Sequence, residues 1–292
     1  MSTVKWHEGP IVALDTETTG IDPTHDHIVT AAMVFRTPGT RPGSVQWVID
    51  PQVDIPTEAS DVHGWTRDRL DEFLDGHQAA RIVNGQVGYL ARDGALAEIA
   101  GKVGLAMHHD VPLVVHNAAY DLTLLEHELA RHGVDTLTAR PAGIRGVVDP
   151  MVIEKQFDPY RKQCFKDDGC DPENRVHTCS GCRGGKWSCG GCGIHDRKLE
   201  SLCRHYRVPH TGAHDAAADA LAAVRLAGRL AEAWPEIARW KLATLHNHQV
   251  TWRSEQQRGL ADFFRKVGKA EEAASCDGGW PLHSSMAGRA AA

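Results

Sequence analysis

Three short apolar runs open the chain: Ile11–Leu14, Ile28–Phe35 and Val45–Ile49. The turns between them are rich in Gly, Pro and Asp, with Gly20-Ile21-Asp22-Pro23 after the first and Thr37-Pro38-Gly39 through Pro42-Gly43 after the second. Runs of this length between such breakers predict strands, and links this short favour an antiparallel meander. A polar helical segment follows Asp61-Val62-His63-Gly64-Trp65-Thr66. The period then changes. Between Gly94 and His108, Leu96, Ile99, Ala100, Val103 and Leu105 recur at near-helical spacing, which predicts a helix packed on the sheet. Pro112–Val115 reads as a fourth strand ending at His116-Asn117. Ala119–His132 reads as a helix with Leu122, Leu125 and Leu129 on one face and Gly133 as its stop. Val147-Val148 is a short fifth strand ending at Asp149-Pro150. Alternating strands and helices in this half predict an α/β protein with a mixed central sheet flanked by helices.

The texture changes after Met151–Tyr160. From Gln163 to Asp196 the chain is rich in Cys, Gly, Asp and Lys and has no apolar period. Helical spacing resumes over Arg197–Val208 with Leu199, Leu202, Cys203 and Tyr206. It continues in the Ala-rich stretch Ala213–Ala233, which holds Leu221, Val224, Leu226 and Leu230. Those four do not share a face, so this helix is expected to be buried on more than one side. Trp234–Val267 predicts a helical hairpin or one extended helix. From Gly268 onward the chain is small and polar apart from Trp280-Pro281-Leu282. The expected organisation is a domain over 1–233 interrupted by a Cys-rich insertion over 163–196, a helical extension over 234–267 and a largely flexible tail over 268–292. No internal repeat is visible.

The chain has 292 residues, enough to bury one sizeable core together with a small insertion. Its 42% hydrophobic and 24% charged content is ordinary for a soluble globular protein. Nowhere do 18 uncharged apolar residues run together, so no membrane span is expected, and the first ten residues lack the apolar core of a secretion signal. The expected compartment is the cytoplasm, where thiols stay reduced, and eight cysteines then call for a role other than disulfides. A net charge of −6 argues against a general nucleic-acid coat protein. It does not argue against an enzyme acting on nucleic acid, because acidic residues can be metal ligands.

The first strand carries the sharpest chemical signal. Ile11-Val12-Ala13-Leu14-Asp15-Thr16-Glu17-Thr18-Thr19-Gly20 places Asp15 and Glu17 two residues apart, hence on one face of a strand at its end. Two like charges held that close repel unless a cation neutralises them, which suggests a divalent metal. The plain alternative is a strand end with two solvated acids. Asp121 stands at a strand-to-helix junction in His116-Asn117-Ala118-Ala119-Tyr120-Asp121, and His214 and Asp219 open the Ala-rich helix. Singly, each of these reads as a helix cap or a solvated residue.

Taken in order, however, they match a family pattern: Asp-x-Glu-Thr-Thr-Gly at 15–20, His-Asn-Ala-x-(aromatic)-Asp at 116–121 and His-x4-Asp at 214–219, with Val-His-Gly-x-Thr at Val62 to Thr66. The chain resembles the DEDDh 3′→5′ exonucleases, which include polymerase proofreading subunits, over about residues 9–232. The resemblance implies a ribonuclease H-like fold. It also implies metal-dependent hydrolysis of phosphodiester bonds from nucleic acid 3′ ends, with two Mg²⁺ or Mn²⁺ ions about 3.5–4 Å apart. By the same resemblance, Asp15, Glu17 and Asp219 bind the ion that holds the attacking water. Asp15 bridges to the second ion, and Asp121 completes that site. His214 is then the general base, suited by an ordinary pKa near 6.5. Thr16 and Thr18 are implied substrate contacts through the main chain. His63 is implied on the terminal sugar and Asn117 on the strand near Asp121, against plain readings as a turn histidine and a strand-end cap. Asp149 matches a position often acidic in the family, though capping explains it. Tyr120 stands where relatives often carry Phe.

Cys179-x2-Cys182 and Cys189-x2-Cys192 form two knuckles with six residues between them, and glycines at 181, 190, 191 and 193 permit the tight turns. Four thiolates at this spacing predict a structural Zn²⁺ held by Cys179, Cys182, Cys189 and Cys192, the plain alternative being a flexible loop with incidental cysteines. Cys164, Cys170, His177 and His195 are spare ligands, and Cys203 fits a helix core. This insertion departs from compact relatives. With Lys162, Lys166, Arg183, Lys186, Arg197 and Lys198 around it, it is suited to steer nucleic acid or a partner.

The expected substrate is a single-stranded or frayed DNA 3′ end in proofreading or repair, with RNA as the alternative substrate. A zinc-knuckle nucleic-acid-binding or adaptor protein on an inactive fold is the alternative of another class. No polymerase motif is visible, so a polymerase partner would be a separate chain.

Overall fold

The computed structural model describes residues 5–159, 161 and 196–287. Its centre is a seven-stranded mixed sheet in the order β5-β4-β3-β2-β1-β6-β7. The strands are β1 (Ile11–Thr18), β2 (Ile28–Arg36), β3 (Gly43–Ile49), β4 (Ala79–Val83), β5 (Gln86–Leu90), β6 (Leu113–Val114) and β7 (Val147–Val148). β1 to β5 pair antiparallel, and β6 and β7 run parallel to β1. The meander and the two parallel strands are those the apolar pattern predicts. The β4–β5 hairpin is new. Its Asn84-Gly85 turn has φ of +51° and +78°, the left-handed pair that suits the twist of a two-residue hairpin. The Asn-Gly signal was in the sequence, but β5 is mostly exposed and lacks an apolar alternation to flag it.

Eleven helices surround the sheet among the described residues. They are α1 (Thr57–His63), α2 (Arg67–Leu74), α3 (Arg92–His108), α4 (Ala118–Arg131), α5 (Pro150–Phe157), α6 (Leu199–His205), α7 (Ala216–Ala233), α8 (Pro235–Arg239), α9 (Leu242–Lys266), α10 (Ala270–Ala274) and α11 (Ser284–Ala287). Both sheet faces are covered. Val29, Val48 and Ala80 pack with Leu70 and Leu74 of α2, while their strand neighbours Ile28, Trp47 and Ala79 join the main core. α7 buries Ala220, Ala222, Ala223, Val224, Leu226 and Ala227, which span more than one of its faces. Alanine lets it approach β1 and β2 closely, and that approach carries its first turn to the end of β1.

Beyond residue 233 the structure differs from expectation in one stretch, residues 268–287. The stretch 234–267 divides into the short α8 and the 25-residue α9, broken at Trp240-Lys241. Residues 268–287, expected to be flexible, contain α10 and α11 and bury Trp280 at 6% exposure. The physical reason is that a single large ring finds a core site, which the small polar composition around it conceals.

The cysteine quartet Cys179, Cys182, Cys189 and Cys192 lies outside the described residues, as do the spare ligands Cys164, Cys170, His177 and His195. On either side of that segment, Arg161 and Arg197 both pair at 2.6 Å with the fully buried Glu154 of α5, so the chain leaves and re-enters the core at one place. Among the described residues no helix is long and apolar enough to cross a membrane.

Candidate active site

β1 changes character along its length. Ile11 to Leu14 are buried, and Asp15 to Thr18 emerge half-buried at the end of the strand. Asp15 and Glu17 therefore project together from one face, as their spacing requires. Two helix starts converge on them. After β6 the chain passes through Asn117 in the left-handed region (φ +65°), and the first turn of α4 then places Asp121 at 5% exposure. Before α7 it passes through His214, also left-handed (φ +66°), with Asp215 as N-cap and Asp219 in the first turn. Such backbone states cost on the order of 1 kcal/mol or more in a non-glycine residue and gather where a site over-determines the chain.

The side chains are tied in pairs. Thr16 Oγ1 donates to Asp121 Oδ1 at 2.7 Å. The main-chain N–H of His214 donates to Asp219 Oδ2 at 3.1 Å, and His210 Nε2 meets Asp219 Oδ1 at 2.5 Å. Ligand atoms of Glu17, His214 and Asp219 all lie within 4.8 Å of one another. Burial first, and then repulsion from Asp121, Asp219, Glu17 and Asp215, pushes the Asp15 carboxyl well above the ordinary range. Burial together with Asp219 and Asp121 pushes Glu17 up to about 8. Burial raises Asp121 to about 7, against the Thr16 hydrogen bond that lowers it. The charges acting most strongly on Asp15 are thus other carboxylates. A cluster in this state is a donor set for hard cations such as Mg²⁺ or Mn²⁺, and the residues present fit that group.

The remaining expected residues have mostly main-chain duties. His63 Nδ1 accepts the Trp65 N–H at 3.1 Å and its Nε2 donates to the Thr18 carbonyl at 3.2 Å. Both ring nitrogens are occupied, so contact with a sugar is left to the ring face. Thr18 Oγ1, Tyr120 OH and the Gly20 carbonyl lie mutually within 2.5–2.8 Å. The tyrosine hydroxyl thereby pins the turn after β1 in a way phenylalanine cannot. A Cβ on Gly20 would stand 2.6 Å from the Asp26 carboxylate, so any larger residue there would force that side chain to shift. Asn117 makes no side-chain cap; its N–H instead donates to Asp149 Oδ1 at 3.0 Å.

Three residues escaped the sequence reading. His210 binds Asp219 with its side chain 6% exposed, and its spacing from His214 carries no period that would have announced it. Ile21 is 93% exposed and, with Pro56, Ala59 and Val62, lines a cleft that opens beside Glu17. An isoleucine amid turn-forming residues was the available signal. The third is Trp280, described below.

No family model matches the chain. Over 153 residues, 52% of its length, the chain is 27% identical to the DNA polymerase III subunit epsilon of Rickettsia conorii, of which the match covers 56%. Exonuclease I from Methylocaldum szegediense superposes with a TM-score of 0.53 at 18% identity, over 85% of this chain and 45% of that one. E. coli exonuclease I in complex with a dT13 oligonucleotide gives 0.50 at 14% identity, over 78% and 42%. The chain therefore spans about half the length of the relatives it matches. These likenesses bear out the ribonuclease H-like fold and the resemblance to DEDD-type 3′→5′ exonucleases read from the motifs.

Proposed function

We propose that this chain is a 3′→5′ exonuclease of the DEDDh type acting on DNA ends, with Asp15, Glu17, Asp121 and Asp219 holding two divalent cations and His214 as general base. The observation that carries this reading is the convergence of four carboxylates from β1, α4 and α7, with Glu17 and Asp219 brought together beside His214, the Asp15 and Glu17 carboxyls raised by burial and by neighbouring carboxylates, and the Asp121 carboxyl raised by burial. An inactive scaffold gains nothing from repelling charges kept together, which disfavours an adaptor role. When bound, Mg²⁺ or Mn²⁺ neutralises charge on the attacking and leaving oxygens of a phosphodiester and makes water acidic enough to attack near neutral pH. The protein's share is positioning. Thr16 fixes the Asp121 oxygen, and His210 with the His214 N–H fixes both oxygens of Asp219. A ring nitrogen of His214, close to Glu17 and Asp219, takes the proton from the attacking water.

The cleft formed by Ile21, Pro56, Ala59 and Val62 suits the terminal base, with the His63 ring face and the main chain of Thr16 and Thr18 against the sugar. DNA is preferred to RNA because the relatives are named as a DNA polymerase subunit and as an enzyme bound to a deoxyoligonucleotide. A polymerase is the partner that a proofreading role would require. Structural Zn²⁺ on the cysteine quartet belongs to the same proposal.

The test uses 5′-labelled single-stranded DNA and RNA oligonucleotides, with and without Mg²⁺. A ladder of single-nucleotide steps on DNA, present only with the metal, is the expected result. Faster shortening of RNA would move the substrate to RNA, and no metal-dependent shortening of either would end the reading. His214→Ala is expected to lower kcat by roughly 10²–10⁴ while leaving Mn²⁺ affinity intact, as for loss of a general base. An equal collapse of Mn²⁺ affinity in calorimetry would make His214 a ligand instead.

A further inference from the structure

The sheet ends at β7, a two-residue strand whose outer edge has no strand partner among the described residues. Side chains of α9 take that place. His246 Nδ1 accepts the Val147 N–H at 3.3 Å, Gln249 Nε2 donates to the Val147 carbonyl at 3.0 Å, and Gln249 Oε1 accepts the Asp149 N–H at 2.7 Å. An imidazole and an amide thus reproduce the hydrogen bonds of a missing strand, deep in the protein, where unpaired backbone groups would be costly.

Asp149, 1% exposed, stands immediately beyond. Its carboxylate accepts from the N–H groups of Asn117 (3.0 Å) and Ala118 (2.9 Å) at the start of α4 and of Met151 (2.9 Å) in α5. One buried anion therefore sets the start of two helices, where the N–H groups and the helix dipole both favour it. The Val152 N–H adds a longer bond at 3.4 Å, and a further donor comes from the far end of the chain: Trp280 Nε1–H, at 3.3 Å to Asp149 Oδ2. Three residues on, the His283 N–H donates to Thr123 Oγ1 at 2.9 Å, again on α4. Asp121 lies between these two attachment points.

We propose that the 280–283 segment is a positioning element of the active centre, in which Trp280 through Asp149, and His283 through Thr123, hold α4 so that Asp121 meets the Thr16 hydroxyl and its metal. Thr16 fixes the Asp121 carboxylate from β1, and the C-terminal segment fixes the helix that carries it. The inference rests on the metal reading of Asp121. It extends that reading to residues outside every motif of the family pattern, in a stretch whose composition suggests a loose tail.

Trp280→Phe keeps an aromatic ring at the site while removing the donor together with the second ring of the indole, and Thr123→Val keeps a similar shape while removing the hydroxyl. Each variant is compared with the full-length parent by Mn²⁺ calorimetry, steady-state kinetics on a single-stranded oligonucleotide, amide exchange over α4 and thermal melting. In the double variant the weaker Mn²⁺ site is expected to lose about tenfold in affinity and kcat to fall about tenfold, with KM unchanged and faster exchange in the first turn of α4. Losses of 10–100-fold are the usual range for groups that orient a ligand. A drop in melting temperature alone, with parental Mn²⁺ binding and kcat, would reduce the segment to a structural clasp and overturn the proposal. A parent that binds no Mn²⁺ would overturn the metal reading and this inference together, whereas two parental sites unchanged in the variants would overturn this inference alone.

Discussion

Asp15→Asn will cost about 10²–10³-fold in exonuclease rate, the scale on which removal of one preorganised electrostatic group acts, and it will raise the melting temperature of the metal-free protein. The two effects have one cause. Asp15 is held by β1 among Asp121, Asp219 and Glu17, and burial together with those charges raises its carboxyl well above the ordinary range. The unfolded chain ionises this group freely, whereas the folded chain does so only at a cost. An amide of the same shape removes that cost and also removes the ligand. For a chain of this size about 1 kcal/mol moves the midpoint by about 2–4 °C, so a rise of roughly that amount in EDTA at pH 7.5 is the expected reading. Below about pH 4 the advantage should vanish, because the carboxyl is then protonated in folded and unfolded states alike. An Asp15→Asn protein less stable than the parent in EDTA would contradict the repulsive cluster, and retained activity would contradict its function.

The second large effect is a metal-free stability that falls as pH rises, with a metal affinity that rises over the same range. Glu17 moves up from 4.5 to about 8 and Asp121 from 3.8 to about 7. Between those limits the folded protein binds more protons at these positions than the unfolded chain does, so the slope of stability against pH is negative. Their contribution is fully present below about pH 4 and is lost as pH passes through about 7 and then about 8. His116 and His246, whose pKa values burial lowers, act with the opposite sign near neutrality. The clean readout is therefore the difference between the parent and Glu17→Gln, melted from pH 5 to 9 in EDTA: the parent should lose ground steadily. Mn²⁺ must displace the same protons, so its binding should release them and tighten with pH. Calorimetry in two buffers of different ionisation enthalpy counts them. A parent that keeps pace with Glu17→Gln across the range would show that these acids are not held protonated by their neighbours.

Much of this centre was legible in the sequence, because it is built from local relations. A strand places residues two apart on one face, so Asp15 and Glu17 were bound to project together wherever the strand lay. The segments Ala119–His132 and Ala213–Ala233 announced helices whose first turns carry Asp121 and Asp219, and the order of the motifs matched a known arrangement. Asp149 was readable as a cap. Other residues were hidden, each for its own reason. The β4–β5 hairpin is exposed on β5 and lacks the alternation that burial imposes. The tail dissolved into small polar residues around one tryptophan. His63 was read as a sugar contact because the motif places it beside the acids, and nothing in the spacing shows that both its ring nitrogens already serve the main chain.

The sequence by itself determined the strands and helices that carry the site and the fact that four carboxylates stand at element ends, since each follows from spacing along a few neighbouring residues. Only the tertiary structure decided which groups hold those carboxylates in place. Thr16 and Asp121 are 105 residues apart, and Trp280 and Asp149 are 131 apart. A hydrogen bond of that span exists only because two elements pack within a few tenths of an ångström of the right distance. That distance is set by the whole core and by no local pattern.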